Sequence, residues 1–160
     1  TGTNAQAVSI TEAATFAEVI VLAIPWAAVK ETIPLLGKVA DKIIIDATNR
    51  IAAQPGDAPT GAEDIAKWAV GAHVVKAFST LGYEAIRDPI FSGIAVNTFI
   101  CGDHADAKET VLALARETGL QAVDAGPLSN VAALDSLAKL WIYMMRNGAG
   151  RDMAFTMIRR

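Results

Sequence analysis

One run constrains this chain more than any other: VIVLAIPW over residues 19–26, six apolar residues followed by a Pro–Trp turn. A strand that is apolar on both faces belongs inside a covered parallel sheet, and the residues at its carboxyl end face a ligand crevice. The same design recurs three times. KIIIDATN (42–49) ends in Thr–Asn, HVVKAFSTL (73–81) in Phe–Ser–Thr and QAVDAGPL (121–128) in Gly–Pro. Helical patterns lie between these runs. The alternation predicts an α/β domain with a mostly parallel sheet and helices on both faces. Right-handed crossovers would put the carboxyl ends along one edge, where ligand contacts gather.

Local signals place the helices. Ser9 and Glu12 have capping-box spacing, which predicts a helix over 10–17. Pro25 suits the first turn of the next helix, which Pro34 should kink or divide and Gly37 end. Residues 50–61, rich in Pro, Gly and Ala, form a loop at the crevice edge, either a lid or a plain excursion. Further helices are expected over 62–69, 82–87 and 105–118, with a strand over 96–101. The last long helix, 130–146, carries Leu134, Leu137, Leu140, Trp141, Met144 and Met145. These are more apolar residues than one inward stripe holds. A second covered face follows, against a neighbouring subunit or a flat ligand, and a homodimer through this helix is the expectation. A short helix over 151–158 would close the chain. The organisation is a sheet domain over 1–128 and a helical segment over 129–160.

Composition narrows the function classes. With 52% hydrophobic and 19% charged residues in 160, the chain has a real core and is not disordered. No apolar run approaches membrane-spanning length, and the first residues lack signal-peptide order, so cytoplasm is expected. A net charge of −3 without a continuous basic surface argues against nucleic acid, and Arg159 with Arg160 reads as a solvated tail. Cys101 stands alone, which excludes an internal disulfide and predicts a buried, inert thiol. His73 and His104 have no evident metal partner, so no metal is assigned.

The motifs AIPW, DATN, VKAFSTLG, FICGD, DAGPLSN and GRDMAF occur in one order and spacing along nearly the whole chain. Together they resemble the NADPH:coenzyme F420 oxidoreductase family. The resemblance implies a Rossmann-like NAD(P)-binding domain and hydride transfer between NADP(H) and a flat acceptor, the deazaflavin coenzyme F420. Members of that family open with a strand and a G-x-G-x-x-G turn that holds the pyrophosphate on a helix N-terminus. No such motif is present here; Gly148–Ala149–Gly150 follows a helix and reads as a helix stop. An additional N-terminal βαβ portion of at least about 30 residues is therefore expected, since without it VIVLAI would stand at an open sheet edge.

By position, Ile24, Pro25 and Trp26 would wall the nicotinamide side of the crevice. Thr48 and Asn49 would hydrogen-bond the ribose or carboxamide, and Phe78, Ser79, Thr80 and Leu81 would lie beside the ring pair. Gly126, Pro127 and Leu128 would let the backbone approach the second ring. Each has a plain alternative: Trp26 and Phe78 as core, Thr48 and Asn49 as loop caps. Two residues depart from the family's pattern. Ser79 stands where Asn is frequent, and Arg50 where Pro is; Arg50 offers itself to an anionic group. No catalytic acid, base or nucleophile is assigned, because hydride transfer needs stacked rings about 3–3.5 Å apart rather than a nucleophile. Reduction of a flavin, ferric or imine acceptor is the nearest alternative chemistry. A non-catalytic dinucleotide-binding or dimerising module is the alternative outside enzymology.

Overall fold

β-branched apolar runs supply the strands, and their alternation supplies two cores. The computed structural model describes residues 4–158. Strands β1 (Val19–Leu22), β2 (Ile43–Asp46) and β3 (His73–Lys76) are parallel neighbours, with Leu22, Asp46 and Lys76 level at their carboxyl ends. A small hairpin, β4 (Ile90–Phe91) and β5 (Ile94–Ala95), intervenes. Strand β6 (Asn97–Gly102) then joins β3 antiparallel, and β7 (Gln121–Asp124) pairs parallel to β6. The sheet order is β1-β2-β3-β6-β7.

Successive side chains on a strand point to opposite faces. Ile44, Val74 and Cys101 pack on one face, with Val29, Ala62, Ile65, Val131 and Leu134 from the helices. Ile45, Val75 and Ile100 pack on the other, against Ala107, Val111 and Ala115. The helices on the first face are α1 (Ile10–Phe16), α2 (Trp26–Thr32), α3 (Gly61–Trp68) and α6 (Val131–Met144). α5 (Ala105–Glu117) covers the second, and α4 (Tyr83–Arg87) follows the β3 tip. Each fully buried Ile or Val contributes roughly 1.5–3 kcal/mol relative to exposure, so this alternation is what fixes the register.

The capping box predicted at Ser9 and Glu12 is present, and a second one, Thr60 with Glu63, opens α3. The mixed, mostly parallel sheet with helices on both faces agrees with the sequence. Two expectations are corrected. β6 reverses direction, so the carboxyl ends of β6 and β7 point to the edge opposite those of β1–β3. The segment 151–158 is not a helix; Thr156 Oγ1 and the Met157 amide both donate to Asn97 Oδ1, which ties the tail to β6. Among the described residues β1 pairs only with β2 and stands at the sheet edge, with Val21 53% exposed. The pair Arg159 and Arg160 lies outside the described residues.

Along α6, Leu134 and Trp141 face inward, whereas Leu140, Tyr143 and Met144 are exposed. No helix among the described residues is long and apolar enough to cross a membrane.

Candidate functional site

The carboxyl ends of β1, β2 and β3 share one edge, and the polar groups buried there make the site. After β1, Ile24 is half-buried, Pro25 is exposed and Trp26 opens α2. The Trp26 ring stacks on Trp68 at 5.9 Å, with the Arg50 guanidinium 5.6 Å from its centroid. A Cβ on Gly61 would lie 2.9 Å from Trp26, so glycine there lets the first turn of α3 meet the indole. Trp26 thus packs the α2–α3 seam next to the β1 tip.

After β2 the chain turns on Asp46. The Thr48 amide and hydroxyl both donate to Asp46 Oδ1, at 2.9 and 2.6 Å. Thr48 is buried and its hydroxyl proton is engaged within the turn, so it braces the tip. Asn49 is half-buried and donates to the Ser79 carbonyl at 3.4 Å, linking the β2 and β3 tips. Arg50 does not reach outward. It donates to Asp64 Oδ2 at 2.6 Å and to the Ala58 and Pro59 carbonyls at 2.8 and 2.9 Å, with Asp57 at 3.3 Å. The loop 50–61 is folded onto this guanidinium.

β3 ends in a buried lysine. Lys76 Nζ is 3.0 Å from Asp46 Oδ2, donates to the Thr48 carbonyl and lies 3.8 Å from Asp135 Oδ1 on α6. The chain then enters the left-handed region at Phe78, with φ of 65°. A bulky residue there is strained, and such strain persists only where the surroundings over-determine it. Ser79, Thr80 and Leu81 follow, all buried, and Ser79 Oγ has no hydrogen-bond partner. Gly82 lies under the Trp141 ring, where a Cβ would come within 2.9 Å of the indole. Trp141 in turn donates to the Met153 carbonyl at 2.9 Å.

The structure therefore brings together Ile24, Pro25, Trp26, Thr48, Asn49, Phe78, Ser79, Thr80 and Leu81. It does not bring Gly126, Pro127 and Leu128 to them. They follow β7, whose carboxyl end points the other way. Gly126, at φ 96°, closes a tight loop in which its amide donates to Asp124 Oδ1, and Leu128 is core. Direction was the error; an apolar run does not announce which way it enters a sheet.

Sequence reading also missed Lys76 and Asp135. The signal was present, since IIID and HVVK each end an apolar run in a charge. In parallel register those charges pair. Burial pushes the Asp135 carboxyl above its usual range and Asp46 adds to that, while Lys76 opposes it. Burial likewise lifts the Cys101 thiol to about 11, as expected of an inert cysteine. Asp124 is held low, first by the Gly126 amide and then, against some burial, by Lys108. His73 and His104 stack at 3.7 Å, a contact their separation in sequence concealed. Among the described residues no group of three or more His, Cys, Asp or Glu could hold a metal.

A hollow of about 720 Å³ lies elsewhere, on the free edge of β7, between Gln121, Val123, Met157 and Ile158. Its one buried polar side chain, Asn97, is already bonded to Gln121, Thr156 and Met157, whereas the β1–β3 edge keeps an unpartnered buried hydroxyl at Ser79, which is why the latter is the candidate site.

Residues 1–50 match the family model described as NADP oxidoreductase, coenzyme F420-dependent. A structure from Arthrobacter sp. FB24, provisionally named an F420-dependent NADP-reductase, superposes with TM-score 0.84 at 24% identity, covering 95% of this chain and 74% of that one. A hypothetical protein from Sinorhizobium meliloti aligns with TM-score 0.67 at 27% identity, over 75% of this chain and 61% of that one. A pyrroline-5-carboxylate reductase from Coxiella burnetii gives 0.52 at 16% identity, over 87% of this chain and 48% of that one. At 24% and 16% identity the likeness establishes a Rossmann-like fold. The chain spans less than two thirds of the second and third of these proteins.

Proposed function

We propose, from the match of residues 1–50 to the coenzyme F420-dependent NADP oxidoreductase family, that the β1–β3 edge takes the nicotinamide of NADP(H) in an NADP-dependent oxidoreductase. The acceptor we assign is a flat ring system, the deazaflavin coenzyme F420. One observation carries the reading. At the β3 tip, Phe78 is held in a strained backbone conformation and Ser79 Oγ is buried without a partner. Asn49 donates to the Ser79 carbonyl, which joins the β2 and β3 tips at this point. An orphaned buried hydroxyl is costly unless something supplies its hydrogen bond, and a carboxamide is of the right chemistry.

The nicotinamide, when bound, supplies or receives the hydride. The chain's own residues orient and enclose. Ile24 and Pro25 wall one side and Asn49 and Ser79 offer polar contacts, while the Phe78 and Leu81 side chains pack into the core behind the tip and hold its backbone in place. Thr48 and Asp46 hold the β2 tip in place. We also assign the exposed apolar face of α6, Leu140, Tyr143 and Met144, to a neighbouring subunit in a homodimer, with a cytoplasmic setting.

The test is loss of NADPH absorbance on adding coenzyme F420, with riboflavin and a cyclic imine as competing acceptors. Turnover with F420 well above the others supports the reading. Turnover confined to the imine favours the reductase chemistry of the Coxiella burnetii fold relative. NADPH binding with no turnover on any acceptor would leave a non-catalytic dinucleotide-binding module.

A further inference from the structure

At the β2 and β3 tips one buried ammonium faces two carboxylates, and the two are not equivalent. Asp46 is engaged on both oxygens: Oδ1 accepts from the Thr48 amide and hydroxyl, and Oδ2 accepts from Lys76 at 3.0 Å. Asp135 has no such support. Its Oδ1 is shielded from solvent, makes no hydrogen bond and lies 3.8 Å from Lys76 Nζ. The charged groups facing it are Lys76 of β3, Asp46 of β2, Arg50 beyond β2, and Lys139 on its own helix. With all three members ionised, Asp46, Lys76 and Asp135 carry a net negative charge in a nearly dry place. That is unfavourable unless a cation arrives or a proton neutralises one carboxylate. The carboxylate without hydrogen bonds is the one to neutralise.

We propose that Asp135 is the switchable charge of this site, neutral beside an uncharged ring and ionised beside a cationic one, and that it sets the preference between oxidised and reduced nicotinamide. The inference rests on the nicotinamide reading above and deepens it. The oxidised ring bears a positive charge and the reduced ring does not. Binding the oxidised form therefore draws the proton from the Asp135 carboxyl into solvent, leaving the carboxylate to face the ring; binding the reduced form leaves the proton in place. Burial of the carboxyl holds that proton more tightly than an ordinary aspartate would.

The experiment is calorimetric titration of the protein with NADP+ and with NADPH, in buffers of different ionisation enthalpy, from about pH 5 to about pH 8. The wild type should release more protons on binding NADP+ than on binding NADPH, the 2′-phosphate titration being common to both nucleotides. Its affinity for NADP+ relative to NADPH should rise on the order of tenfold across that range. Asp135→Asn should abolish the difference in proton release and weaken NADP+ several-fold relative to NADPH, and Asp135→Glu should restore the difference. If both nucleotides bind and Asp135→Asn follows the wild type, the assignment to Asp135 is overturned while the nicotinamide reading stands. If neither nucleotide binds the full-length protein, that reading falls and this one with it. Should the amide variant not fold, carboxyl carbon-13 titration of the wild type decides. The Asp135 midpoint must drop when NADP+ is added, and a midpoint that does not move overturns the proposal.

Discussion

The tips of β2 and β3 each bury a cation, and they treat it differently. Arg50, after β2, is closed on every side: two carboxylates and two backbone carbonyls take its donors, and its side chain is 4% exposed. Lys76, at the end of β3, is as deeply buried, yet one of its two carboxylates stands off without a hydrogen bond. A fully satisfied buried charge is a clasp that specifies one loop conformation, whereas a partly satisfied one can respond to whatever enters beside it. Arg50 closes the loop 50–61, and Lys76 holds the ends of β2 and β3 together.

The sharpest way to break this contrast is to remove each cation. Arg50→Ala should cost about 3–5 kcal/mol in chemical denaturation, because Asp64 would be left buried and unpaired. A cost near zero would mean that loop 50–61 does not depend on the clasp. Lys76→Met should cost somewhat less, about 2–4 kcal/mol, since Thr48 continues to hydrogen-bond Asp46. Adding Asp46→Asn to that variant should recover at least about 1 kcal/mol, and simple additivity of the two changes would deny their coupling.

Asp135→Asn should have the smallest effect at any single pH, below about 1 kcal/mol, but should change the slope. The folded chain holds the Asp135 proton more tightly than the unfolded chain does. The contribution is therefore complete below the ordinary aspartate range and is lost as pH rises through the elevated folded value. Wild-type stability should thus fall relative to the variant across that window. Parallel stability curves for the two proteins would contradict it.

Much of this arrangement was legible in the chain. VIVL, IIID and HVVK declared themselves as strands by continuous apolarity, and their polar ends marked the edge where Asn49 and Ser79 meet. Ser9 with Glu12 declared a helix start because a capping box is local chemistry. What escaped was set by long-range partners. The reversal of β6 follows from the hairpin at 90–95, which turns the chain before Asn97, and hydrophobic periodicity carries no direction. The tail at 151–158 has helix-compatible residues, yet Asn97 takes its backbone and hydroxyl donors and Trp141 takes the Met153 carbonyl, which holds it extended. The DAGPL motif looked like a strand tip and is one, but on the opposite edge.

The account stands on one placement, the nicotinamide at the carboxyl ends of β1–β3. The most direct test is an amide chemical-shift titration of nitrogen-15-labelled protein with NADPH. The account predicts perturbations at Ile24, Trp26, Thr48, Asn49 and Phe78 through Leu81, with Gly126 and Leu128 unmoved. Perturbations gathered instead at Gly126 and Leu128, or along the free edge of β7, would contradict it.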